Sequence, residues 1–293
     1  MHASHEPARL AANDVRTEEL ALSALESLAR RGDGRPYVVD EHGQRSLQFD
    51  GVTVQSQMTL AEPDALALDY TRSMMGFLLF NPAPRHIVMI GLGGGSLAKY
   101  CLRTLPDTRF TAVEIDPAVI AVRDAFGVPP DDERFRVICR DGADYVRECS
   151  EAPDVLLIDG FDPGGQPRQL CSAGFYDECY AALADPGVMA VNLWSGDTRY
   201  GLYAARIRES FDNRVVVARA EDGCNRIAFA CKGGRFPPGR AQLLARARAL
   251  APTHSFGMMP LAQLIQHRLD QRAEGGGDPW LAGRSGRPAR RHD

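Results

Sequence analysis

The chain has 293 residues, 44% of them hydrophobic and 25% charged, an ordinary globular composition that excludes a collagen, a coiled coil and wholesale disorder. Its 34 basic and 38 acidic side chains leave a formal net charge of −4, so no global field draws it to nucleic acid, which is set aside as a partner. The most apolar stretch, Met74 to Phe80, is far too short to span a bilayer, the N-terminal stretch has no apolar segment of the kind a secretory signal carries, and seven cysteines without a CxxC pair read as reduced thiols of a cytoplasmic protein rather than as a disulfide framework or a zinc site.

In chain order, residues 1–34 read as a helical extension: Leu20, Leu22, Leu25 and Leu28 give Glu18 to Arg31 an amphipathic helix, stopped by Gly32-Asp33-Gly34. Residues 35–60 are expected to form a β-hairpin module, with short strands at Tyr37–Val39, Ser46–Phe49 and Val52–Gln57 divided by Glu41-His42-Gly43 and Asp50-Gly51. Pro63 to Phe80 is predicted as one helix ending before Asn81-Pro82. From His86 apolar strands alternate with helices: strands at 86–90, 110–114, 135–139, 154–158 and 188–193, and helices at 96–105, 117–125, 143–148 and 172–183. After a helix at 203–210, strands at 214–218 and 226–231 complete the sheet as an antiparallel pair at one edge. Buried strands alternating with helices predict a doubly wound, Rossmann-like α/β domain over residues 61–232. Residues 233–272 add two helices, Gly239 to Ala251 and Leu261 to Arg272, and the glycine- and arginine-rich segment 273–293 reads as a disordered tail.

Three signals lie at the carboxyl ends of consecutive strands, where ligands bind in such sheets. The first strand runs into Gly91-Leu92-Gly93-Gly94-Gly95-Ser96. Gly91, Gly93 and Gly95 permit a sharp turn, and the helix opening at Ser96 offers unpaired N–H groups. A strict dinucleotide fingerprint requires glycine where Ser96 stands, so the loop suits a single nucleoside with a short tail. Glu114 ends the second strand and can accept both ribose hydroxyls, with Asp116 two residues on. After the third strand, Asp141 can accept from an adenine amino group while Gly142 lets the base pass; a plain Asp-Gly turn is the alternative. Together they point to an adenosine site. The fourth strand ends in Asp159-Gly160-Phe161-Asp162-Pro163 at the same rim. Two carboxylates so placed can hold a cationic amine and take its proton; the alternative is an aspartate-rich loop capping the next helix.

At these residues the chain resembles the spermidine synthase (polyamine aminopropyltransferase) family, from about Ser46 to Lys232. The resemblance is carried by Phe49-Asp50-Gly51-Val52, the glycine loop, Val113-Glu114-Ile115-Asp116-Pro117, Asp141-Gly142 and, most specifically, Asp159-x-x-Asp162-Pro163 followed by Leu170 and Phe175-Tyr176. It implies a fold of the S-adenosylmethionine-dependent methyltransferase type, a homodimer, and transfer of an aminopropyl group from decarboxylated S-adenosylmethionine to an amine such as putrescine, with methylthioadenosine leaving and no metal involved. Asp159 matches the family's catalytic aspartate, which deprotonates the amine, and Asp162 matches its neighbour in the acidic pocket. Glu114 matches the ribose ligand, and Asp141 and Gly142 the adenine contacts. Tyr70 is similar in position to a substrate-contacting tyrosine, Gln55 or Gln57 stands for a family glutamine, and Tyr176 and Trp194 are candidates to wall the acceptor pocket; for Tyr70, Tyr176 and Trp194 core packing is the plain alternative. Two departures matter. The family's loop aspartate is missing from Gly94-Gly95-Ser96, which leaves S-adenosylmethionine itself open as donor, and the family's gate is replaced by Glu221-Asp222-Gly223-Cys224-Asn225. The competing readings are a methyltransferase or aminocarboxypropyl transferase acting on an amine, and a non-catalytic nucleoside-binding scaffold.

Overall fold

The computed structural model describes residues 34–49, 54–162, 165–221, 223–254 and 256–273. The expected helix at 18–31, the Asp50-Gly51 turn, Pro163 and the tail beyond residue 273 lie outside the described residues.

The expected hairpin is a three-stranded antiparallel sheet of β1 (Tyr37–Glu41), β2 (Gln44–Gln48) and β3 (Val54–Thr59), in that order. Glu41 pairs with Gln44 across His42-Gly43, whose φ angles of 51° and 75° are both positive, as a two-residue hairpin loop requires. Leu47 of β2 and Met58 of β3 turn inward and join the main core.

The long helix predicted over 63–80 does not form. Helix α1 covers only Asp69–Met74 and tightens into a 3-10 turn over Met75–Leu79. The cause is capture of its would-be acceptors. Lys99 Nζ takes the Pro63 carbonyl at 2.6 Å and Arg72 takes those of Leu66 and Ala67 at 2.7 and 3.1 Å, whereas the Leu68 carbonyl accepts from Thr71 N and Arg72 N and opens the helix. Backbone carbonyls satisfied by side chains are withdrawn from a helical ladder.

The main sheet comprises β4 (His86–Ile90), β5 (Arg109–Glu114), β6 (Phe135–Cys139), β7 (Val155–Ile158), β8 (Gly187–Trp194), β9 (Val215–Arg219) and β10 (Asn225–Lys232), ordered β6-β5-β4-β7-β8-β10-β9. The first five strands in this order run parallel; β10 enters antiparallel between β8 and the edge strand β9. Successive residues serve opposite faces. Val88, Ile90, Leu156 and Ile158 pack beneath α4 (Gly142–Glu148), α5 (Ala173–Ala182) and α6 (Tyr200–Ser210). Ile87, Met89 and Leu157 pack with α1, α2 (Ser96–Thr104), α7 (Arg240–Leu250) and α8 (Met258–Ala273). Covering both faces is what allows these strands to be apolar throughout. The helix expected at 117–125 is shorter: α3 spans Pro117–Ala121 and a 3-10 turn Arg123–Phe126 follows it. Among the described residues no helix is long and apolar enough to cross a membrane.

Because β4 has β5 on one side and β7 on the other, the strand order reverses there and opens a crevice at the carboxyl rim. Lys99 of α2 ties β3 to the turn after α3. Buried at 4% exposure, it spends its three donors on Pro63 O, Phe126 O and the Met58 sulfur. Replacing it with methionine preserves most of the volume and leaves the buried Phe126 carbonyl without a donor, at a cost of about 1–3 kcal/mol. Lys99→Met is therefore expected to lower the melting temperature by about 2–4 °C per kcal/mol lost, measured by thermal unfolding.

Candidate functional site

The crevice is a cavity of about 600 Å³. Its geometry begins with backbone pairing. Asp159 N–H donates to Ile90 O and Gly91 N–H to Val113 O, so three strands remain hydrogen-bonded up to the points where their loops depart. Gly91 has a φ of 94°, and a Cβ there would overlap the Asp159 carbonyl; no side chain fits between the two loops. At Gly142 a Cβ would overlap Ile90 Cγ2, so glycine lets α4 start this close to β4 beside Asp141.

The acids on the nucleoside side are held by backbone N–H groups. Glu114, 8% exposed, accepts from Leu92 N at 2.9 Å through one oxygen and from Asp116 N at 3.0 Å through the other, so it fixes the glycine loop against β5. Each oxygen keeps a second acceptor site for a ligand. Asp116 caps α3 by accepting from Ala118 N at 2.8 Å. Asp141 caps α4 through Ala143 N at 2.7 Å and Asp144 N at 3.3 Å, while its other oxygen accepts from Gln169 Nε2 at 3.4 Å. Asp141 is thus a helix cap that also lines the cavity.

On the opposite side Asp159 is half-buried at the end of β7. Desolvation by the surrounding protein pushes its carboxyl up to about 7, against hydrogen bonds from Asn192 and Tyr70 that lower it. Asn192 Nδ2 donates to Asp159 Oδ1 at 2.8 Å. Asp162 is exposed on the next loop, which reciprocal backbone hydrogen bonds between Asp162 and Gly165 of 2.9 and 3.0 Å turn back on itself. Tyr70 from α1, Gln55 from β3 and Trp194 from the end of β8 line the same cavity, as do Gly91, Gly93 and Ser96. Trp194 is 47% exposed and its ring packs on Gly196.

Two expected residues stand elsewhere. Tyr176 is fully buried beneath the sheet, 5.6 Å from the Phe175 ring between centroids, and its hydroxyl has no hydrogen-bond partner among the described residues. It belongs to the core of α5, not to the cavity. Gly95 sits behind the loop against Val128 and opens α2 without lining the cavity. Asn192 and Gln169, which sequence reasoning did not single out, also line it, as does Asn225 from the segment that replaces the family's gate. Asn192 carried a signal: it is the one polar residue in Val188-Met189-Ala190-Val191-Asn192-Leu193. The lining holds five carboxylates (Glu114, Asp116, Asp141, Asp159 and Asp162) and, among the described residues, no lysine, arginine or histidine.

A family model for the spermine/spermidine synthase domain matches residues 67–195. The polyamine aminopropyltransferase of Neisseria meningitidis serogroup B is 43% identical over 204 residues, covering 69% of this chain and 78% of its own length. A probable spermidine synthase from Corynebacterium glutamicum has a similar fold, with a TM-score of 0.63 at 22% identity over 74% of this chain and 83% of that one. A spermidine synthase solved in complex with the transition-state analogue AdoDATO has a TM-score of 0.55 at 25% identity over 68% of this chain and 74% of that one.

The raised Asp159 carboxyl makes a prediction about stability. Its folded value of about 7 exceeds the ordinary 3.8, so the native state holds this proton more tightly than the unfolded chain does. The ionised carboxylate then costs stability progressively as pH rises between those values, and in full above the upper one. Asp159→Asn should melt several degrees above the unmodified protein at about pH 8, and at the same temperature at about pH 4, by calorimetric melts across that range.

Proposed function

Because this chain belongs to the spermine/spermidine synthase family, we propose that it transfers an aminopropyl group from decarboxylated S-adenosylmethionine to an amine such as putrescine, releasing methylthioadenosine. The observation that carries this reading is the placement of Asp159 and Asp162 across one acidic cavity from Glu114, Asp116 and Asp141. In the proposed reaction Glu114 accepts from the ribose hydroxyls, Asp141 and Gly142 receive the adenine, and the loop from Gly91 to Ser96 faces the donor's sulfonium side. The acceptor amine lies between Asp159, Asp162, Tyr70, Gln55 and Trp194. Asp159 takes a proton from the ammonium. The freed nitrogen lone pair attacks the methylene carbon beside the sulfonium; the carbon–sulfur bond breaks, its electron pair stays on sulfur, and neutral methylthioadenosine departs.

The field of the cavity favours the decarboxylated donor. Intact S-adenosylmethionine brings a carboxylate among five others, with no cationic side chain among the described residues of the lining to pair with it. The missing loop acid favours a second reading, methyl or aminocarboxypropyl transfer from the intact donor to an amine. We also propose a cytoplasmic homodimer, a reading that rests on the thiol composition and the family resemblance and is checked by sedimentation and cell fractionation.

Paired calorimetric titration with the two donors, each repeated with putrescine and product analysis, tests the proposal. Preference for the decarboxylated donor with methylthioadenosine appearing is expected; preference for the intact donor moves the chemistry to the second reading, and binding without turnover leaves only a nucleoside-binding scaffold. Asp159→Asn should abolish turnover with donor affinity retained, and Glu114→Ala should weaken donor binding by about 1.5–3 kcal/mol per charge-assisted hydrogen bond lost.

A further inference from the structure

Asn225 is the first residue of β10 and faces Trp194 across the antiparallel register. It follows the turn that stands where the resemblance breaks down, and Ser195 holds that turn by donating its hydroxyl to Cys224 O at 2.6 Å. Asn225 Nδ2 donates to Asn192 Oδ1 at 2.8 Å, and Asn192 Nδ2 donates to Asp159 Oδ1 at 2.8 Å. Two amides in series have a direction. Asn192 offers an N–H to the carboxylate while its oxygen faces a donor; turned over, it sets oxygen against carboxylate and NH2 against NH2. The rest of Asn192 is clamped: it is 2% exposed, and its main-chain carbonyl accepts from Gln166 Nε2 at 3.2 Å.

We propose that Asn225 is a positioning residue for Asp159: by locking the amide of Asn192 it keeps an N–H, and not the amide oxygen, on Asp159 Oδ1. The inference rests on the reading of Asp159 as the base. It makes the turn before β10 part of the reacting site, because an acceptor that shifts this turn or Trp194 also shifts the first donor of the relay. The titratable groups around Asp159 are Tyr70 from α1, which donates to it, and Asp162, Glu114, Asp116 and Asp141 from the loops of the same rim.

The test is a carbon-13 carboxyl NMR titration of aspartate-labelled full-length protein, with Asp159 assigned by its loss in Asp159→Asn. Removing the capping donor in Asn192→Leu should raise the Asp159 midpoint by about one pH unit, and Asn225→Leu, which releases the amide, by about half a unit. The double variant should match Asn192→Leu alone, because the outer residue acts through the inner one. In the unmodified enzyme and the variants, the acid limb of kcat/KM should follow the same order, with kcat falling more than KM rises. An unmoved midpoint in Asn225→Leu, or effects that add in the double variant, overturns the relay. Asn225→Leu lies at a half-buried strand end and decides the matter alone should Asn192→Leu fail to fold. The NMR readout needs no turnover. Shifted midpoints without methylthioadenosine formation would keep the relay and sink the aminopropyl reading; turnover with an unmoved midpoint would do the reverse.

Discussion

The structure depends on hydrogen bonding maintained to the last residue of three neighbouring strands. Ile90 O receives Asp159 N–H, and Val113 O receives Gly91 N–H. The loops leaving β4 and β7 therefore start in contact, with the glycine α-carbon against the aspartate carbonyl. A side chain at Gly91 would force these loops apart and with them the two halves of the cavity. The distance between nucleoside side and amine side is thus set by sheet pairing, a rigid element, and not by the loops that carry the functional groups. The packing of both sheet faces keeps that pairing dry and fixed.

Gathering five carboxylates around one cavity opposes folding unless each is offset. The chain offsets three of them with main-chain N–H groups: Glu114 takes two, Asp116 one and Asp141 two. These bonds do structural work at the same time, since they start α3 and α4 and hold the glycine loop to β5. Asp159 is treated differently. It receives side-chain donors that lower its proton affinity and a desolvating environment that raises it, and desolvation dominates. One group of like-charged residues is thereby divided into acids whose oxygens are held by main-chain donors and one whose carboxyl is pushed up to about 7 by desolvation.

The parts of this arrangement legible in the sequence are those written in local pattern. Five-residue apolar runs such as His86–Ile90 announce buried strands, and an acid directly after such a run announces a rim position, which is how Glu114 and Asp159 were found. What sequence reasoning missed is nonlocal. The helix expected from Pro63 is undone by Lys99, 36 residues away. Tyr176 faces the core because α5 packs against α4 and α6, a choice of helix phase that the Phe175-Tyr176 pair does not encode. Asn225 reaches the cavity only because β10 inserts beside β8, so that its opposite number is Trp194.

The departure in the glycine loop follows from packing. A Cβ at Gly94 would stand 2.8 Å from both the Phe126 ring and the Ser56 hydroxyl, and Phe126 is fully buried. A side chain at Gly94 would therefore require Phe126 or Ser56 to move. On the proposed reading, discrimination between donors cannot reside in a single loop carboxylate here. It resides in the summed field of a lining that has acids on both sides and, among the described residues, no cation. Such a field acts over the whole cavity, so it disfavours an anionic donor and at the same time attracts a cationic acceptor. A chain with this lining has less need of the loop acid for either task, and the tight contact at Gly94 is compatible with aminopropyl transfer.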